Sequence, residues 1–147
     1  MLGLRKINMR RRFTHYEYKP DYSAYRGVYI EDVDGYLYTE SEWPERKIPN
    51  GIAVLTDKCR FVIAMQDVSG ASFQWGGNNK TVSGIVTTTD RQIAQADYAG
   101  ASNTDTIISA LSGYNDSYVT GAPAVEYCKA FTFPNGKKGY LGAAGEW

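Results

Sequence analysis

Apolar positions fall in short runs in the first half of the chain and at helical spacing in the second. Val28, Tyr29 and Ile30 lie on one side of Asp34-Gly35, with Tyr36, Leu37 and Tyr38 on the other. These flanks are residue types that strands prefer. Asp-Gly suits a two-residue hairpin turn, whose two central positions need positive φ. Gly51–Leu55 and Arg60–Ala64 are a second pair of short runs around Thr56–Cys59. They predict a second hairpin whose centre is buried on both faces. Between the hairpins, residues 41–50 read as a loop held by Pro44 and Pro49 and pinned by Trp43. Ser72–Trp75 reads as a short strand or loop, and Val82–Val86 as a weak fourth run.

Helical signals follow. Asp90 can cap a helix reaching about Tyr98, with Gly100 ending it. Ser102 or Asn103 then caps a second helix, with Ile107, Ile108 and Leu111 on its apolar face and Gly113 at its end. Pro123 opens a third helix, where its missing N–H costs nothing, and Val125, Cys128 and Phe131 form its inward stripe. Strands first and helices later define an α+β fold: short antiparallel hairpins followed by two or three helices.

Charge divides the chain. The net charge is zero, yet Arg5, Lys6, Arg10, Arg11 and Arg12 give residues 1–12 a charge of +5 with no acid. The remainder, with 11 bases and 16 acids, carries −5. Tyr16, Tyr18 and Tyr22 alternate around Lys19-Pro20, and proline favours extended backbone. Residues 1–22 therefore read as a basic, Tyr-rich arm and residues 23–147 as the α+β domain. Arg10, Arg11, Arg12, Tyr16, Tyr18 and Tyr22 are the residues expected to dock on a partner, since an extended aromatic segment can add to a sheet edge or lie in a groove. Only three of the basic residues are contiguous, which argues against nucleic acid as the partner. No run of about 18 apolar residues exists to span a membrane. No apolar segment of signal-peptide type follows the basic start. That absence favours free thiols at Cys59 and Cys128 over a disulfide.

Little in the sequence is arranged for catalysis or metal. His15, the one histidine, lies in the arm, so a nucleophilic triad or histidine-based zinc site lacks positioned members. Of Glu31, Asp32 and Asp34, only the last two share a strand face, and a solvated turn is their expected role. Gly76-Gly-Asn-Asn-Lys80 lacks the spacing of a phosphate loop. The expectation is a non-enzymatic chain with no cofactor and no metal. Twelve Tyr and three Trp leave flat rings with polar edges as binding elements. Trp75, Tyr98, Tyr114 and Tyr118 are the candidate ligand-binding residues.

The segment from Ala122 to Trp147 carries a Tyr127-Cys128 pair on a helix and a Gly136-Lys-Lys138 turn. Tyr140-Leu141, three small residues, Gly145 and Glu146-Trp147 complete it. This order resembles the middle of the C-type lectin-like fold, in the branch shared by formylglycine-generating enzymes and phage receptor-binding proteins. A looser succession from Gly27 to Asn103 resembles C-terminal domains from phages and prophages of Bacteroides-type gut bacteria. Leu141-Gly142 departs from the family's Leu-Pro and makes that turn more permissive. The resemblance implies that only the first part of the domain is present. The family's ligand surface, calcium ligands and catalytic cysteines would fall beyond Trp147, so no catalytic residue carries over. What it implies is a virion protein of a phage tail or capsid-associated assembly, structural or host-attaching, formed in the host cytoplasm. Its partners would be other virion subunits in a homo-oligomer, and a host surface glycan or protein. The alternative is a carbohydrate- or protein-binding module at a bacterial cell surface.

Overall fold

Four antiparallel strands build the sheet: β1 (Gly27–Asp32), β2 (Leu37–Tyr38), β3 (Pro49–Leu55) and β4 (Arg60–Ile63). They form a computed structural model that describes residues 20–66, 73–77 and 80–147. The expected arm residues Arg10, Arg11, Arg12, Tyr16 and Tyr18 lie outside the described residues. The strand order is β2-β1-β3-β4. Both expected hairpins are present, and β1 joins them by pairing Tyr29 with Ala53 and Ile30 with Ile52.

The first turn differs from expectation. The Gly35 N–H donates to the Asp32 carbonyl at 2.8 Å and the Asp32 N–H to the Tyr36 carbonyl at 3.0 Å. The loop thus has three residues, and Gly35, at φ +78°, closes it. The reason is Asp32, whose Oδ1 accepts the N–H groups of Asp34 and Tyr36, both at 2.9 Å. It is fully buried, not part of a solvated turn. Lys47 Nζ reaches its Oδ2 at 2.9 Å, which ties the 39–48 crossover to the hairpin.

β3 is the central strand. Gly51, Ala53 and Leu55 are buried on one face, while Ile52 and Val54 on the other are half-buried, so burial on both faces is only partial. Trp43 does pin the crossover, edge to face against Tyr38 at 5.5 Å.

The helices are α1 (Arg91–Gln95), α2 (Gly100–Ala110) and α3 (Pro123–Ala130). Asp90 caps α1 as expected, accepting the N–H of Gln92 at 2.8 Å. α1 stops three residues short of Tyr98, and α2 begins at Gly100 instead of after Ser102. Gly100 is therefore not a terminator. A Cβ there would sit 2.7 Å from the Ala143 nitrogen and collide with the Glu146 carboxylate. Its role is close approach. Thr104, also buried, accepts the Leu141 N–H at 3.0 Å. Leu111, Ala122 and Val125 form the helical core, with Ile107, Ile108 and Leu141 packed against it. After α3 come a bridge between Thr132 and Lys138 and a 3-10 turn at Ala144–Glu146. Cys59 and Cys128 are free and half-buried. Among the described residues, no helix is long and apolar enough to cross a membrane.

Candidate functional site

Among the described residues, the strand β4 has β3 on one side and no strand on the other. Its hydrogen-bonding polarity follows from the turn before it. The Thr56 N–H donates to the Cys59 carbonyl at 2.9 Å, which makes 56 and 59 a bonded pair. Bonded and non-bonded pairs alternate in an antiparallel ladder. Phe61 and Ile63, opposite Val54 and Ile52, therefore bond β3. Arg60 and Val62 point their N–H and C=O groups outward. Among the described residues nothing pairs with these outward groups.

A cavity of about 350 Å³ runs along this edge, between β4 and the 133–147 segment. Four rings, from Phe61, Phe133, Tyr140 and Trp147, line it. Phe61 and Trp147 meet edge to face at 6.2 Å. A second cavity, of about 190 Å³, continues past Ala64 and shares Phe133 and Tyr140 with the first. The two together form a groove along the strand edge.

Polar side chains hold the groove together. Asn50, buried at the start of β3, donates from Nδ2 to Glu31 Oε1 at 2.7 Å and accepts the Asn135 N–H at 3.1 Å. It thereby fastens the 133–136 turn to the sheet. Glu146 accepts the Ala143 N–H at 2.8 Å and the Tyr140 hydroxyl at 3.4 Å. Burial is the main cause that lifts the Tyr140 hydroxyl above its ordinary pKa, and the nearby Glu146 carboxylate adds to it. Lys138 donates to Thr132 Oγ1 at 2.6 Å. Glu31 and Glu146 thus spend acceptors on structure, and what the groove presents is rings, the Lys137 ammonium and a row of open backbone groups. That combination suits an extended chain better than a reacting small molecule.

The four rings expected to bind a ligand are not brought together. Trp75 is 68% exposed and lines a separate cavity of about 220 Å³ beside Ile107 and Leu141. Tyr98 lines another, of about 390 Å³, behind Trp147. Tyr114 is half-buried and donates its hydroxyl to Asp116 Oδ2, with Lys80 Nζ 5.2 Å over its ring. That hydrogen bond, with burial and the carboxylate's charge, raises its pKa, while Asp116 is held below its ordinary value. Tyr114 therefore closes the 114–121 loop. Tyr118, on the same loop, is 73% exposed.

Tyr22, assigned to the arm, packs on its own chain. It meets Tyr25 edge to face at 5.0 Å, and its hydroxyl accepts the Leu37 N–H at 3.2 Å. Arg60 holds the segment down, donating to the carbonyls of Tyr22, Ser23 and Tyr25. Among the described residues, no group of three His, Cys, Asp or Glu is placed to hold a metal ion.

The β4 groove was not legible from the sequence because its walls come from Glu31, Asn50 and residues of the 60–66 and 127–147 segments. The one local signal is Asn50, a polar residue leading an apolar run and buried in the fold. Comparison with protein families, with curated proteins and with solved structures finds no match to this chain.

Proposed function

We propose that this chain is a non-enzymatic structural or host-attachment protein of a phage virion, tail or capsid-associated. In this reading it works by docking other chains in a homo-oligomer. The observation that carries it is the β4 edge, without a partner strand among the described residues, beside a groove of four aromatic rings. An unprotected edge strand is a template for pairing, and soluble chains ordinarily blunt it. The basic, Tyr-rich N-terminal residues supply a docking element, and the lectin-like resemblance of residues 122–147 supplies the phage context. The test is to purify particles from the native source and probe them with antibody to this chain. Particles that carry the chain in fixed proportion to other virion proteins uphold the reading. Particles free of it, with the chain left in the cell fraction, overturn it.

A second reading, a carbohydrate- or protein-binding module at a bacterial surface, is favoured by the exposed rings of Trp75 and Tyr118. Exposed rings of this kind stack on sugars or enter protein interfaces. It requires the isolated chain to bind a glycan on a broad panel, with binding lost in Trp75→Ala. A blank panel removes the carbohydrate part.

A further inference from the structure

We propose that the β4 groove receives an extended, acidic segment of a partner chain, which adds a strand along Arg60–Ile63 and sets its carboxylates against Arg60, Lys137 and Lys138. The proposal rests on the docking reading above and names the chemistry of the partner. Two observations carry it: how the sheet treats its two ends, and where charge collects.

The β2 end of the sheet is closed. The Asp32 N–H bonds the Tyr36 carbonyl, so Tyr36 and Tyr38 bond β1 while Leu37 and Thr39 turn their N–H groups outward. Side chains take both. The Tyr22 hydroxyl accepts the Leu37 N–H at 3.2 Å, and Glu42 Oε2 accepts the Thr39 N–H at 3.2 Å. Capping of this kind blunts an edge against further pairing. At β4 the outward groups of Arg60 and Val62 have neither a strand nor a capping side chain among the described residues. They need a partner or water. Donors and acceptors that recur at about 6.8 Å along an edge match a second peptide backbone, which favours a chain over a sugar.

Charge selects the kind of chain. Residues 13–147 carry −5, yet the groove gathers Arg60, Lys137 and Lys138. All three are exposed, and none is in an ion pair with the other described residues. Arg60 and Lys138 donate to carbonyls and to a threonine hydroxyl, which leaves their charge uncancelled. The carboxylates in the lining, Glu31 and Glu146, are the less exposed groups and already accept from Asn50, Ala143 and Tyr140. A cleft of one dominant sign between apolar walls concentrates ligands of the other sign. The rings of the groove suit apolar side chains, so a strand that alternates acidic and apolar residues satisfies both demands. The basic residues 1–12 of this chain have the wrong sign for it.

Hydrogen exchange on the full chain, read residue by residue, tests this with three probes. One short synthetic peptide alternates valine with glutamate, and another alternates valine with lysine. Polygalacturonate is an acidic polymer without a peptide backbone. The glutamate peptide should slow the Arg60 and Val62 amides at least about tenfold. The Phe61 and Ile63 amides, bonded to β3, should be protected throughout and report folding. The lysine peptide should bind at least about fivefold more weakly than the glutamate peptide. Lys137→Glu should weaken the glutamate peptide about fivefold and strengthen the lysine peptide.

Arg60 and Val62 amides that neither peptide slows overturn the proposal. So do amides slowed alike by both peptides, since the edge then pairs without regard to charge. Polygalacturonate binding that Lys137→Glu removes, with the glutamate peptide inert, makes the groove a sugar site and also overturns it. The particle test separates this proposal from the reading beneath it. Particles that carry the chain, with a groove indifferent to the glutamate peptide, sink the proposal alone. Particles free of the chain, with a groove that selects that peptide, sink the virion reading alone.

Discussion

Asp32 and Glu146 are two buried carboxylates at opposite ends of the described chain, and each organises a turn. Asp32 is 0% exposed, accepts two backbone N–H groups and takes the Lys47 ammonium at 2.9 Å. Glu146 is 9% exposed, accepts one backbone N–H and one tyrosine hydroxyl, and is in no ion pair with the other described residues. The hairpin carboxylate joins a turn to a separate crossover segment, and charge makes that join. The C-terminal carboxylate closes a turn that already lies against α2 through Gly100 and Thr104, where close packing makes the join. The first region should be vulnerable to loss of charge and the second to a change of volume.

The strongest way to break the comparison is Asp32→Ala. It leaves two turn N–H groups and the Lys47 ammonium without their shared acceptor. Removing one partner of a buried ion pair costs about 3 kcal/mol or more. Lys47 is partly exposed, which favours the lower end. Urea unfolding should show the loss as a lower midpoint at unchanged slope. A midpoint like that of the native chain would mean that water satisfies the turn and that charge does not hold the crossover.

Gly100→Ala attacks the second region by volume. In an exposed helix interior this change would stabilise by about 1 kcal/mol. Here the added methyl meets the Glu146 carboxylate and the Ala143 nitrogen, and overpacking of this kind costs about 2 kcal/mol. The two predictions have opposite signs, so the direction of the Tm shift alone decides whether α2 and the C-terminal turn touch as described.

Legibility in the sequence follows the same division. Elements fixed by neighbouring residues were readable: both hairpins, the Asp90 cap, and Pro123 at the start of α3. Features fixed by residues distant in sequence were not. Gly100 reads as a helix terminator because its partner, Glu146, is 46 positions away. Asp32 reads as solvated because Lys47, which covers it, comes from the crossover. The strand order could not be read either. Two successive hairpins suggest a meander, but the crossover carries β3 to the far side of β1 and makes β2, instead of β1, the strand at the end opposite β4. The groove beside β4 is hidden for the same reason of distance, since its facing wall comes from residues 133–147, and rings picked by residue type alone ended in different places.

A finer contrast comes from amide replacements. Glu146→Gln keeps a carbonyl that can accept the Ala143 N–H, so its cost should stay within about 0.5 kcal/mol, while Glu146→Ala should cost about 1 kcal/mol. Asp32→Asn should cost more than Glu146→Gln, because an amide cannot replace the charge that Lys47 meets. Equal costs for the two amides, measured by unfolding at neutral pH, would remove the distinction between the regions.

The smallest effect to resolve is the pH dependence of the hairpin. Burial pushes the Asp32 carboxyl upward, but the Lys47 ammonium and the N–H groups of Tyr36 and Asp34 outweigh it and hold the pKa below its ordinary value. A depressed folded pKa means that the unfolded chain takes up the proton first. The stabilisation is then present above the unfolded value of about 4 and is lost as pH falls through the folded one. Lys47 shifts the other way, raised chiefly by its hydrogen bond to Asp32, so its contribution is full below about 10.4 and fades only as pH rises through the folded value. Unfolding free energies measured between about pH 5 and pH 2 should therefore fall less steeply in Asp32→Asn than in the native chain. Parallel profiles would mean that Asp32 titrates alike in both states, and the ion pair would then lose its place as what separates the hairpin from the C-terminal turn.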